Sequence, residues 1–225
     1  RVLALFAALV CVGMGGACGR QPSAEELSGL GMGSDPASDT MKAATLSVMR
    51  LKVPDGAQLE AAWIDSTGAL IGAGGVDRQG NRTGFAVKWN DRGGREWVYV
   101  HGESPSGFNA VRRPQDGGVW LGGWVRRDGR EDDALLVRLR NSTQDNIEED
   151  RVAENSVAED QVHVWGGSGT ERLTDLGGSE ETGGVTAAGW TGSRDGAFDG
   201  LQNGHRDAFA SGIGTDGQRL WTRTW

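Results

Sequence analysis

The 225-residue sequence predicts an all-β fold of four-stranded antiparallel units repeated along the chain. Three observations predict it. The segments "GFAVKWNDRGGREW" (84–97) and "DAFASGIGTDGQRLW" (207–221) both set a tryptophan twelve residues after a phenylalanine, Phe85 to Trp97 and Phe209 to Trp221. Between them "DALLVRL" (133–139) carries the same strand without the same ending. A second phrase recurs in step: "GALIGAGG" (68–75), "GGVWLGGW" (117–124) and "GGVTAAGW" (183–190). Finally, 38 of 225 residues are glycine, about 17% against a usual ~7%, while proline numbers only 5. Glycines between short apolar runs are what many tight turns require.

The amino terminus reads as an address. In "RVLALFAALVCVGMGGAC" one positive charge, Arg1, precedes an apolar run from Val2 to Val12, and small residues lead to Cys18. That is the three-part grammar of a secretory signal. The run falls well short of the ~20 residues a membrane-spanning helix needs. Small residues before a cysteine resemble a bacterial lipobox, with Cys18 lipidated, although Gly15 stands where a leucine is usual. The other reading is an ordinary signal peptide cleaved near Ala17. The chain opens on Arg1, so the gene product is expected to begin slightly upstream. Residues 19–42 are rich in Gly, Ser, Pro, Asp and Glu and are expected to form a flexible tether.

The region 43–225 is expected to hold three units, at about 43–102, 103–167 and 168–225. Each starts with a short mixed strand: "QLEAAWID" (58–65), "FNAVRR" (108–113) and "ERLTDLG" (171–177). The second strand is small, apolar and glycine-bearing; crowding of backbones from neighbouring sheets would explain its glycines. The third strand alternates with period two: Phe85, Val87 and Trp89; Leu135, Val137 and Leu139; Phe209, Ser211 and Ile213. The turns "NDRGG" (90–94) and "TDG" (215–217) then lead to fourth strands at 95–102, 161–167 and 218–225. Four strands per unit at this spacing is the arithmetic of a β-propeller of four-stranded blades. About three units form an incomplete ring, since propellers have roughly 4–8 blades. The chain is therefore expected to belong to a longer one.

The string "GGSGTERLTDL…GGVTAAGWT…DGAFDG…NGHRDAFASGIGTDGQRLWTRTW" resembles the bacterial seven-bladed β-propeller repeat of secreted and surface proteins (SBBP-type). Residues 166–225 match it well and residues 58–140 more loosely. The resemblance implies a propeller fold and an envelope setting. It supplies no catalytic residues and no shared activity.

Composition narrows partners. A net charge of −8 disfavours nucleic acid, because phosphate binding requires a basic face. Both cysteines, Cys11 and Cys18, precede the repeats, so the repeats hold no internal disulfide. The insertion 141–160 contains seven acids and one arginine; it is either a cation- or partner-binding loop or a solvated excursion. The loop 193–207 sets Asp195, Asp199, Asn203 and Asp207 at intervals of four, with glycines between them. That pattern suits calcium, and equally the turn chemistry of a long loop. No other cofactor is indicated. His101, His163 and His205 fall in different units and are read as surface residues, not a zinc site. No nucleophile elbow, P-loop or zinc-protease string occurs.

Recurring tryptophans, Trp97, Trp165 and Trp221, with Trp124 and Trp190, are expected to pack between units. Trp63, Trp89 and Trp120 lack strict counterparts; core packing is the first reading of each, and they are also the candidates for a carbohydrate or protein contact surface. The expected function is an exported binding or scaffold module, lipid-anchored at the bacterial cell envelope, with a protein or polysaccharide partner. A non-catalytic role is the first reading. The alternative is the propeller part of a secreted hydrolase or lyase acting on polysaccharide.

Overall fold

The computed structural model describes residues 51–65, 67–78, 80–103, 105–114, 118–141, 157–178, 184–201 and 206–225. From Lys52 onward they belong to the compact unit Lys52–Trp225. Cys18, the tether, Asn203, His205 and residues 142–156 of the acidic insertion lie outside the described residues.

The described chain is all-β, in three four-stranded antiparallel sheets that form no closed barrel. The first comprises β1 (Ala57–Ile64), β2 (Leu70–Arg78), β3 (Asn81–Trp89) and β4 (Arg95–Val100). The second comprises β5 (Ser106–Arg112), β6 (Val119–Arg126), β7 (Asp132–Asn141) and β8 (Val157–Trp165). The third comprises β9 (Glu171–Gly177), β10 (Val185–Thr191), β11 (Asp207–Ile213) and β12 (Arg219–Thr224). Each sheet pairs its strands in chain order. A turn of 3-10 helix (Gly196–Phe198) interrupts the β10–β11 connection. The reversal after β3 is closed by Asn90, whose Oδ1 accepts the N–H groups of Arg92 (3.0 Å) and Gly94 (2.8 Å).

The sheets stack through their first strands. β5 packs across β1, β2 and β3, and β9 packs across β5, β6 and β7. One apolar layer joins Ile71, Ala73, Ala86 and Trp97 of the first sheet to Phe108, Leu121, Leu135 and Val137 of the second. Another joins Trp120 and Leu136 to Leu173, Leu176, Phe209 and Ile213 of the third. The middle sheet is thus covered on both faces, which is why Leu135 and Leu136, pointing to opposite sides of β7, are both fully buried. All nine alternating third-strand residues predicted from the sequence are buried.

Three of the second-strand glycines, one in each sheet, have a cause different from the expected one. In each sheet the first strand carries a β-bulge: Glu60, Asn109 and Thr174 are the extra residues, left out of register. Opposite the residue just before each bulge stand Gly74, Gly123 and Gly189. A Cβ on Gly74 would lie 1.9 Å from the Gln58 carbonyl oxygen, and one on Gly123 would lie 1.9 Å from that of Gly107. One on Gly189 would lie 2.0 Å from that of Arg172. The crowding backbone belongs to the glycine's own sheet and not to a neighbouring one.

Two further expectations change. β8 begins at Val157, so the last acids of the insertion, Glu159 and Asp160, are strand residues. Asp160 pairs with Arg140 at 2.8 Å. His101 is buried rather than on the surface: its Nδ1 lies 2.9 Å from the Tyr99 hydroxyl, which donates to Glu159 of β8. Burial first, then that carboxylate, push the Tyr99 hydroxyl far above its ordinary pKa.

Candidate functional site

Three connections meet at one end of the second and third sheets: the β6–β7 turn, the Gly-Gly-Ser-Gly segment 166–169 after β8, and the loop after β10. They bound a cleft of about 480 Å³ lined by Arg127, Arg130, Asp133, Trp165, Ser168 and Asp195.

The lining segment 166–169 is held from beneath by Glu171, the wholly buried first residue of β9. The Glu171 carboxylate accepts the Gly167 N–H (3.1 Å), the Ser193 N–H (3.1 Å) and the Thr191 hydroxyl (2.9 Å). Asp195 Oδ1 accepts the Ser168 N–H at 2.7 Å, and Ser193 Oγ accepts the Gly169 N–H at 2.7 Å. Three consecutive N–H groups are therefore satisfied from within the protein. Such a run is otherwise a ready anion cradle, but here the chain's own groups fill it. This closeness explains the glycines: a Cβ on Gly166 would meet Asp133 Oδ1 at 2.1 Å, and one on Gly167 would meet Asp195 Oδ1 at 2.4 Å.

The rim carries Arg127 and Arg130 beside the carboxylates of Asp133 and Asp195. Arg127 grips Glu103 in a two-pronged pair, Nε to Oε2 at 2.5 Å and Nη2 to Oε1 at 2.8 Å. The Arg127 hydrogen bond holds the Glu103 carboxyl below its usual pKa. Burial pushes the Asp133 carboxyl up, against the pull of Arg127 and Arg130.

Behind the rim, Asp132 is only 1% exposed. It accepts from Arg126 Nε (2.9 Å) in its own sheet and from Arg172 Nε (3.0 Å) in the next. Arg172 also lies 4.6 Å from the centroid of the Trp124 ring. This clamp fixes the two walls of the cleft relative to one another.

Of the candidate calcium residues, Asp195 lines the cleft, Asp199 follows the 3-10 turn, and Asp207 is buried at the start of β11. Among the described residues no group of three or more His, Cys, Asp or Glu side chains is arranged to hold a metal ion. Trp89 and Trp120 are fully buried, so they serve the interior rather than a contact surface. Trp89 already lay on the alternating buried face of its strand. Trp63 packs against the first apolar layer, with the Arg112 guanidinium 4.5 Å from its ring centroid. Sequence reasoning missed Arg127, Arg130, Asp133 and Glu171; only the Gly-Gly-Ser-Gly string signalled that a tight loop sat there.

Arginines beside carboxylates and one indole suit a polar, hydroxyl-rich or charged ligand. No family model matches this chain, and no curated protein matches it.

Proposed function

We propose that the chain is a β-propeller-type binding or scaffold module, exported and held at the bacterial cell envelope by a lipid on Cys18, with a protein or polysaccharide partner. Its three sheets would be successive blades. The observation that carries the reading is the cleft at the second and third sheets, whose walls are clamped by Asp132 and Arg172 and whose rim offers Arg127 and Arg130. A rigid scaffold that presents polar groups on its loops is the usual arrangement of a binding module.

The test is titration of acidic and neutral polysaccharide fragments and envelope extracts against the chain and its Arg130→Ala variant. Arg130 is exposed at the rim, so the fold should survive its loss. Binding that Arg130→Ala leaves unchanged would remove the cleft from the reading. The anchor is tested separately, by palmitate incorporation that Cys18→Ser abolishes.

A second reading, part of a polysaccharide hydrolase or lyase, draws on one observation. Asp133, its carboxyl raised by burial, lines the same cleft as Asp195, and unlike carboxyls in one cleft are the raw material of acid–base catalysis. Reducing-end release that Asp133→Asn abolishes would favour it.

A further inference from the structure

The polar groups around the cleft divide into those the protein has engaged and those it has left open. Arg127 is engaged: both prongs of its guanidinium go to Glu103, whose charge cancels its own. The N–H groups of Gly167, Ser168 and Gly169 are engaged by Glu171, Asp195 and Ser193. Arg130 and Asp133 are not. Both line the cleft, yet neither side chain makes an ion pair or a hydrogen bond among the described residues. Asp195 commits Oδ1 to the Ser168 N–H and leaves Oδ2 open. What remains is one guanidinium, with five N–H donors, beside two carboxylates that only accept.

That mixture selects a ligand by charge. An acidic ligand that reached Arg130 would also meet Asp133 and Asp195, and a basic one that reached those carboxylates would also meet two arginines. Neither finds a one-sided field. A sugar hydroxyl both donates and accepts and carries no charge, so neighbouring hydroxyls satisfy a carboxylate and a guanidinium together. Burial pushes the Asp133 carboxyl up, and no hydrogen bond brings it back down; a donating hydroxyl would supply one. Trp165 lines the cleft with its Nε1 buried, so it offers a ligand carbon rather than an N–H. The carbon-bearing face of a sugar ring suits that surface. Among the lining side chains only Val164 and Trp165 are large and apolar, too few to seat the side chains of a peptide. The volume, about 480 Å³, lies within the range of small-ligand sites.

We infer, on the binding reading proposed above, that the cleft takes a neutral, hydroxyl-rich sugar unit of a polysaccharide. Asp133 and Asp195 accept from neighbouring hydroxyls, Arg130 donates to a hydroxyl or ring oxygen, and Trp165 packs on the ring. The Asp132–Arg172 pair keeps the two walls at a fixed separation, so the sugar meets a preformed site.

The test titrates the full chain with neutral hexasaccharides of glucose, galactose and mannose and with oligogalacturonate of the same length. A neutral hexasaccharide binds, and its Kd stays within about two-fold between about 0.05 and 0.5 M salt, because no net charge is matched. Asp133→Asn and Arg130→Ala each weaken it about ten-fold, as the loss of one hydrogen bond to a charged group does. Tighter binding of oligogalacturonate that fades with salt overturns the inference and makes the cleft an anion site. Neutral binding that both variants leave untouched overturns it by placing the sugar elsewhere. A protein captured from envelope extracts and released by Arg130→Ala, with every saccharide inert, overturns the sugar and leaves the binding reading standing. No binding from saccharides or extracts removes that reading as well.

Discussion

Asn109 Nδ2 donates a hydrogen bond to the Leu173 carbonyl oxygen at 2.9 Å. The donor is the extra residue of the β5 bulge and the acceptor is the main chain of β9, so a local irregularity in one sheet becomes a tie to the next. Asn109→Ala should destabilise the chain by about 1 kcal/mol, the usual net worth of such a bond. Asn109→Asp should cost more, because a carboxylate cannot donate and would face the carbonyl. Urea midpoints with unchanged slopes check the order.

Gly123 and Gly129 should respond differently to the same methyl. At Gly123 the added carbon meets the Gly107 carbonyl at 1.9 Å, within a fully buried sheet. Gly129 has φ +67° but nothing within 4 Å of the added carbon. Gly123→Ala should cost about 3 kcal/mol or more, at the upper end for overpacking. Gly129→Ala should cost about 1 kcal/mol of backbone strain. Equal losses in thermal unfolding would contradict the bulge account of the second-strand glycines.

The Asp132–Arg172 pair should couple the second and third sheets. Arg172→Met leaves Asp132 with Arg126 alone. The loss is expected at about 2 kcal/mol, in the range for hydrogen bonds to charged groups. A double-mutant cycle with Asp132→Asn should show a coupling of at least about 1 kcal/mol. Because Asp132 is buried, the coupling should persist at high salt.

His163 should make stability fall in mild acid. Burial lowers its pKa below the ordinary 6.5, and Asp216 only partly offsets this. The folded state therefore prefers the neutral ring. Its contribution is fully present above pH 6.5 and is lost as pH falls through the lower folded value. His163→Gln should flatten that part of the profile, seen as a smaller change in denaturant midpoint between pH 7.5 and pH 5. An identical profile in the variant would rule out His163 as the source.

Much of this architecture could be read from the chain, and the unread parts share a cause. Phe85, Val87 and Trp89 alternate in sequence and are buried in the structure, because a regular strand converts period two directly into a face. The first strands looked mixed because a bulge breaks that conversion. Phe108 and Val111 both join the first apolar layer, and Leu173 and Leu176 both join the second, although each pair is three residues apart. That spacing was the available signal for the bulge. The cleft was less legible. Arg127 and Asp133, Gly167, and Asp195 come from three separate connections, and no local pattern records that they converge. Trp120 lacked a counterpart in the sequence because the same place is Ile71 in β2, and its burial decides for core packing, the first of its two readings.

The three first-strand bulges also decide where this protein can change length. Within β5, Phe108 faces one layer and Ala110 the other only because Asn109 is counted as an extra residue. Deleting or adding one residue between Gly107 and Arg112 would turn every later side chain of that strand to the wrong side. The strands that join the sheets are thus the least permissive segments for insertions and deletions. The chain places its long insertion instead between β7 and β8, beyond their last paired residues, Asn141 and Val157. Length variation among sequences of this design should therefore accumulate there and at the sheet ends, and spare Glu60, Asn109 and Thr174.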